Sequence, residues 1–233
     1  MNIQGKKVSQ EVRAVTSGFS ELSPAVNSLV DAVTVANNYP TGAVLFSEAE
    51  PTRGIYFVRR GRVKLSVCAR DGKTLILHIA GAGELMGVAA VLSQHDYEAT
   101  AETLEPSEIG FLRQSDLMRL MRASGEFALW VTQQLSQSYN STCREIRNLM
   151  LSDSASEKLA RLLVGFIDNT VAAKEPARIK LGMTHEEIAQ MIGTSRETVT
   201  RLFAGFKKRR IIEQNGATVV IPNRVALESL ISA

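Results

Sequence analysis

The sequence predicts an α+β fold: an N-terminal all-β barrel or roll, one long helix, and a C-terminal helical domain closed by a β-hairpin. Three observations carry this. Between Tyr39 and Leu112, short β-rich runs alternate with turn signals such as Pro40-Thr41-Gly42, Arg60-Gly61, Asp71-Gly72 and Gly81-Ala82-Gly83, the rhythm of a small β domain. From Glu126 to Leu151 there is neither Pro nor Gly. From Met183 to Ile211, two amphipathic helical patterns are separated by Gly193 and followed by an Asn-Gly pair.

In chain order, residues 1–20 are polar and weakly patterned and form an arm. Residues 21–125 make the β domain. Glu21–Val35 is expected to hold a short helix with Ser23 as N-cap and Pro24 in the first turn, where its missing N–H costs nothing. Val44–Phe46, Ile55–Val58, Val63–Val67 and Thr74–Ile79 are strands, and Val63, Leu65 and Val67 alternate with Lys64 and Ser66, so that strand is half buried. Gly83–Leu92 breaks the rhythm as a short helical segment. Ala99–Thr103 and Ser107–Leu112 resume it, and Asp116–Met121 is a short helix.

Residues 126–152 form the long helix and hinge. Ala128, Thr132, Leu135, Tyr139, Thr142, Ile146 and Leu149 recur at alternating spacings of four and three, the seam of a helix lying along a partner helix. Two packings fit it: a homodimer seam through Leu135, Tyr139, Thr142, Ile146 and Leu149, or burial against the helix's own domain. Polar neighbours such as Gln133, Gln134, Gln137 and Asn140 favour the dimer. Ser152–Ser156 is the natural hinge.

Residues 153–233 begin with an amphipathic helix over Glu157–Asn169, a loop over Thr170–Pro176 and a short strand at Arg178–Leu181. Ile188, Ala189, Met191 and Ile192 mark the apolar side of the next helix; Val199, Leu202, Phe203 and Phe206 mark that of the one after. Each opens with a capping-box pattern, Thr184 with Glu187 and Thr194 with Glu197. Two helices joined by a glycine turn make a helix-turn-helix. Ile211–Gln214 and Ala217–Ile221 flank Asn215-Gly216, a hairpin signal, so the helix-turn-helix carries a wing. Pro222 ends its second strand and Asn223 caps a last helix through Leu230.

The net charge of +3 is modest but unevenly placed. Residues 1–152 are neutral, whereas Met191–Ile211 sets Arg196, Arg201, Lys207, Lys208, Arg209 and Arg210 against Glu197 alone. Cations gathered on one helix are an electrostatic footprint for double-stranded nucleic acid. Cys68 and Cys143 are too few and too far apart for a disulfide framework or metal cluster and are expected to be buried or half-buried. No apolar run reaches membrane-spanning length, and the first residues lack the apolar core of a signal peptide, so the expected location is the cytoplasm, with no membrane partner.

The order β-roll, long helix, hinge and winged helix, together with SRETVTR at 195–201, YFVRRGRVKLSV at 56–67 and GELMG at 83–87, resembles the cyclic-AMP receptor protein and fumarate–nitrate reductase regulator family of bacterial transcription regulators. The resemblance implies a cyclic-nucleotide-binding-like sensor at 21–125, a dimerisation helix at 126–152, a DNA-binding domain at 153–233, and RNA polymerase as a further partner. It also implies that Arg196, Glu197 and Arg201 read a palindromic TGTGA-like half-site from a recognition helix at 194–210. The chemistry suits this: the guanidinium fork matches guanine O6 and N7, and a carboxylate accepts from cytosine N4. Thr194 and Ser195 belong to the same N-terminal turn. Glu197 has a second role open to it, as the capping partner of Thr194. Thr200 has two readings, contact with a base methyl or with a phosphate. Lys207 and Lys208, with Arg209 and Arg210, are either a solvated face favoured by the helix dipole or phosphate contacts.

The effector is less plainly written. Cyclic-nucleotide members of the family need an early Gly-Glu and a later Arg-Ser to hold ribose and cyclic phosphate. Here Gly87 keeps the Gly, Val88 stands at the Glu, and Tyr97-Glu98 stand at the Arg-Ser, in a loop about one residue short. Without charge-assisted donors, cyclic AMP is disfavoured. Thr142 and Cys143 match the pair that reaches the nucleobase from the long helix. Ligand contacts at Tyr97, Glu98, Thr142 or Cys143 are expected to act through that helix on the spacing of two recognition helices. An iron–sulfur cluster is excluded on cysteine count. Haem is disfavoured, His78, His95, Cys68 and Met86 being candidate ligands by type only. Two alternatives stay beside the regulator: one responsive to cyclic nucleotides, and a ligand-binding module whose winged helix contacts protein. No Ser-His-Asp order, metal cluster or phosphate-binding loop points to an enzyme.

Overall fold

The computed structural model describes residues 22–151, 154–168 and 176–231. The arm, part of the hinge (Ser152 and Asp153) and most of the loop at 170–176 lie outside the described residues, as does the side chain of Leu149. The chain divides into two compact units, one running to Ala69 and resuming over Leu77–Asn140, the other comprising Arg70–Ile76 and the chain from Ser141.

The first unit opens with α1 (Pro24–Val33), with Ser23 at the N-cap position and Pro in its first turn as expected, although the Ser23 hydroxyl makes no capping bond and donates to Glu126 Oε2 at 2.8 Å instead. Two four-stranded sheets follow. One has the order β1 (Val35–Tyr39), β8 (Ser107–Arg113), β3 (Gly54–Arg60), β6 (Leu85–Met86); the other has β2 (Val44–Phe46), β7 (Thr100–Thr103), β4 (Val63–Cys68), β5 (Thr74–Ala80). Strand β1 was not expected: Val-Ala-Asn-Asn-Tyr is a poor strand sequence, largely exposed, yet it pairs antiparallel with β8 from Val35↔Phe111 to Tyr39↔Ser107. Helix α2 (Val88–Ser93) falls where the strand rhythm breaks, and α3 (Gln114–Ala123) follows β8 directly.

The long helix α4 (Gly125–Leu151) is fastened to the β domain by its first turns. Phe127, Trp130 and Val131 are buried with α1 residues Val26 and Val30 and with Ile55, Phe57 and Leu117. The heptad positions behave differently along the helix: Ala128 and Leu135 are half-buried, while Thr132, Tyr139, Thr142 and Ile146 are exposed. Cys143 is half-buried, but Cys68 is exposed, contrary to the expectation from residue type.

The C-terminal domain has its own core. Leu159 and Leu163 of α5 (Ala155–Asp168) meet Ile188 and Ile192 of α6 (His185–Ile192), Phe203 and Phe206 of α7 (Arg196–Lys208) and Val219 of the wing. The wing is a three-stranded sheet ordered β10 (Glu213–Asn215), β11 (Thr218–Ile221), β9 (Ala177–Lys180). Its pairing places Asn215 opposite Thr218, so the two loop residues are Gly216 and Ala217 rather than Asn215-Gly216. Gly216 takes φ +61°, and it leads the loop because only that position needs a left-handed residue. Asn223 caps α8 (Arg224–Glu228) by accepting from the Ala226 N–H.

The two capping patterns part company. Thr184 and Glu187 form the expected box: the Glu187 N–H donates to Thr184 Oγ1 at 3.2 Å, and the Thr184 N–H donates to Glu187 Oε2 at 2.8 Å. Helix α7 is capped not by Thr194 but by Ser195, whose hydroxyl accepts from the Thr198 N–H at 3.2 Å. Gly193, in the left-handed region at φ +64°, ends α6 and turns the chain, and the intervening Thr194 N–H bonds to the Ala189 carbonyl. Helix α7 therefore begins one residue later than the sequence pattern places it. Ser195→Ala is expected to lower thermal stability by about 1 kcal/mol, and Thr194→Ala by less than half as much; calorimetry of the two variants checks the assignment.

Candidate nucleic-acid interface and sensor site

Helix α7 has two distinct sides. Val199, Phe203 and Phe206 are buried, whereas Arg196, Glu197, Thr200 and Arg201 are exposed. Among the described residues Arg196, Lys207 and Lys208 make no ion pair, and Arg201 only reaches the Thr198 hydroxyl at 3.5 Å. Their charge is thus left for an external anion. Thr194 is half-buried in the turn and Ser195 is the cap, so both sit at the end of the helix where N–H groups face outward. Lys207 and Lys208 occupy the last turn of α7, Arg209 is its C-cap, and Arg210 lies beyond it with φ +56°. The helix covers 196–208 rather than 194–210.

Glu197 is the second residue of α7, not the third, and does not pair with Thr194 as a capping box. Its carboxyl pKa is lowered by hydrogen bonding to its own backbone N–H and, secondarily, to the Ser195 hydroxyl. It is therefore an ionised acceptor on a fully exposed face, available to a donor from outside.

One side chain that sequence reasoning missed lies on this surface. His185, the first residue of α6, stacks on Phe203 with ring centroids 4.9 Å apart, and its Nδ1 is 2.9 Å from the Thr200 hydroxyl. Partial burial, then Lys207 and Arg196, lower its pKa, so the ring is neutral at physiological pH. No local pattern links residues 185 and 200; only the crossing of the two helices brings them together.

In the sensor unit, Gly87 precedes α2 with φ +76°, and a Cβ there would stand 2.7 Å from the Tyr97 ring. Tyr97 is 3% exposed, stacked on Phe46 at 4.1 Å between ring centroids. Its hydroxyl donates to the Gly54 carbonyl at 2.7 Å and accepts from the Arg53 N–H at 3.3 Å. Burial raises its pKa, and burial together with Tyr97 pushes that of neighbouring Tyr56 to about 12. Val88 is 5% exposed within the core, whereas Glu98 is exposed. Where a cyclic phosphate and ribose would call for cationic and carboxylate partners, this chain places a packed phenol, a buried isopropyl group and a free carboxylate. That donor set does not fit a cyclic nucleotide phosphate. Thr142 and Cys143 lie on α4, exposed and half-buried respectively.

The candidate haem ligands are scattered in role: the His78 Nε2 lies 2.6 Å from Glu84 Oε2, His95 is exposed, Met86 is buried and Cys68 is exposed. No group of three or more His, Cys, Asp or Glu side chains suited to a metal ion occurs among the described residues. No described helix is long and apolar enough to cross a membrane.

Comparison with known proteins agrees with both halves of this geometry. Residues 36–124 match the cyclic nucleotide-binding domain family, and residues 157–230 match the Crp-like helix-turn-helix domain. The cAMP-activated global transcriptional regulator CRP of Haemophilus influenzae is 29% identical over 186 residues, covering 79% of this chain and 83% of its own. The structure of FixK2 from Bradyrhizobium japonicum aligns with a TM-score of 0.77 at 21% identity, over 86% of this chain and 98% of its own. That of a CooA mutant from Carboxydothermus hydrogenoformans aligns with a TM-score of 0.74 at 23% identity, over 91% and 92%. A cyclic-nucleotide-binding-type β domain joined through a long helix to a DNA-binding helix-turn-helix identifies the chain as a transcription regulator, not an enzyme, of the cyclic-AMP receptor protein and fumarate–nitrate reductase regulator (Crp/Fnr) family.

Proposed function

We propose that this regulator works as a homodimer that recognises a palindromic, TGTGA-like site through α7, under control of an effector other than cyclic AMP. The observation that carries the DNA half is the face of α7. Arg196, Glu197 and Arg201 are exposed, and the first and last turns carry cations that no described carboxylate neutralises, while the opposite face is fixed in the core. Arg196 and Arg201 are the guanine readers, Glu197 accepts from cytosine, and Lys207 and Lys208 hold phosphate. Thr194 and Ser195, in the turn and at the cap of α7, lie at the phosphate edge. Selection from a randomised duplex library, followed by footprinting with and without cell extract, tests this. Enrichment of a palindrome supports the reading, and failure to enrich any sequence sinks it.

The divisions of labour are residues 1–20 as an arm, 21–125 as sensor, 126–152 as dimer helix and hinge, and 153–233 as DNA-binding domain. Dimerisation is supported by apolar and aromatic side chains left on the outside of α4: Tyr139 is 69% exposed and Ile146 is 55% exposed. With Leu135, Thr142 and Leu149 they form the seam that a second copy would cover. Tyr139→Glu combined with Ile146→Glu is expected to turn a dimer into a monomer in sedimentation velocity. Binding to the palindrome should fall to the level of an isolated half-site, because two recognition helices must be held roughly 34 Å apart to engage both. Cytoplasmic location and contact with RNA polymerase complete the proposal.

For the effector, the packing of Tyr97 over Gly87 supports a ligand without a cyclic phosphate, contacting Gly87, Val88, Tyr97, Glu98, Thr142 or Cys143 and acting through α4. A second reading, a cyclic-nucleotide-responsive regulator, is favoured by the match of residues 36–124 to the cyclic nucleotide-binding domain family and by the cAMP-activated relative. Thermal-shift titration with a panel of cyclic nucleotides separates the two.

A further inference from the structure

Thr200 sits on the exposed face of α7, one turn beyond Arg196 and beside Arg201. Its hydroxyl is doubly engaged. The oxygen lies 3.0 Å from the Arg196 carbonyl, to which only the hydroxyl hydrogen can donate, and 2.9 Å from His185 Nδ1. A threonine hydroxyl has one hydrogen, so the second contact must be donation from the His185 Nδ1–H to Thr200 Oγ1. The ring is held for this by stacking on Phe203, itself 1% exposed, and by its place at the start of a helix whose cap is fixed on both sides by Thr184 and Glu187. With its hydrogen spent inside the protein, Thr200 has none left for a phosphate oxygen or for a base acceptor. Its γ-methyl is the part of the side chain left to meet the groove.

We infer that Thr200 reads a thymine through its methyl group and that His185 is the positioning residue that turns the methyl, rather than the hydroxyl, toward the DNA. This rests on α7 entering the major groove as proposed above. Apolar contact between a threonine methyl and the thymine C5-methyl is a groove-reading mode open to this geometry, and it separates T·A from the other three pairs. His185 thereby adds selectivity without touching a base. Because Nδ1–H donates in both the neutral and the protonated ring, the preference holds across the titration of His185.

The test uses the full-length protein and its selected site, with each thymine of the half-site replaced in turn by uracil, which removes only the methyl. One position per half-site is expected to weaken binding roughly fourfold, the worth of one buried methyl group. Thr200→Ser, which keeps the hydroxyl and loses the methyl, should erase that difference while binding the uracil duplex as well as wild type does. His185→Leu, which stacks on Phe203 but cannot donate, should reduce the ratio toward one. His185→Asn, which keeps a donor nitrogen at the same branch point, should restore it. A selected site that shows no uracil effect, or an effect that survives Thr200→Ser, overturns the inference while leaving DNA recognition intact. An effect unchanged in His185→Leu removes His185 from the role. A library that yields no site fails the underlying proposal instead.

Discussion

Arg196→Ala is expected to flatten sequence preference at one position of each half-site, with a loss of about 1–3 kcal/mol per half-site on the preferred base pair and little change on the others. The guanidinium makes no ion pair among the described residues and stands on the first turn of an anchored helix. Its removal therefore leaves no buried partner unpaired, and the folded protein should melt at its normal temperature. Arg201→Ala should behave likewise at a second position. Lys207→Ala provides the contrast: a phosphate contact carries no sequence information, so binding should weaken about equally on every duplex and the salt dependence should become shallower by about one counterion. Competition binding against a panel of single-base variants at two salt concentrations checks all three. Equal loss on every duplex for Arg196→Ala would move that residue from base reading to backbone contact.

The second large effect is expected in the sensor. Tyr97→Ala should lower the stability of the β unit by about 3–5 kcal/mol, the usual result of hollowing an aromatic site in a core. Tyr97 is stacked on Phe46, and its ring lies so close over Gly87 that a Cβ there would stand 2.7 Å away. Tyr97→Phe keeps the ring but strips the Gly54 carbonyl and the Arg53 N–H of their partner, for about 1–3 kcal/mol. Trp130, the single tryptophan, is buried in the same unit and reports urea unfolding by fluorescence. A loss below 1 kcal/mol for the alanine variant would mean that Tyr97 is a movable gate and not a structural plug. In the native protein cyclic AMP should leave the melting temperature unchanged. A clear stabilising shift would establish the cyclic-nucleotide reading.

Which parts were legible in the sequence follows from the range of the physics involved. The spacing of Val199, Phe203 and Phe206 encodes burial locally and appears in the structure as expected, whereas the alternation at Val63–Val67 does not: Val63 and Ser66 are buried, and Lys64, Leu65 and Val67 are half-buried. Thr184 with Glu187 is a local hydrogen-bond pattern and was read correctly; Thr194 with Glu197 has the same letters, but Gly193 spends Thr194 on the turn and leaves capping to Ser195. A one-residue ambiguity also decided the wing, where Gly216 and not Asn215 leads the loop. Strand β1 was invisible because its stability comes from β8, some 70 residues away, and not from its own side chains. Within the candidate interface, the exposed cations could be named from spacing alone. His185 could not, since its meaning depends on the angle at which α6 crosses α7.

The interleaving of the two faces of α7 bears on how such a regulator diverges. Its anchoring residues and the exposed residues proposed to face the groove alternate along one helix but share no position: the former are sealed in the core, and the latter lie outside it. Surface substitutions of that kind seldom move stability by more than about 0.5 kcal/mol. On the proposed reading, a gene duplicate acquires a new set of target promoters by exchanging Arg196, Glu197, Thr200 or Arg201 while inheriting an undamaged fold. Selection on what the protein regulates is thereby decoupled from selection on whether it folds.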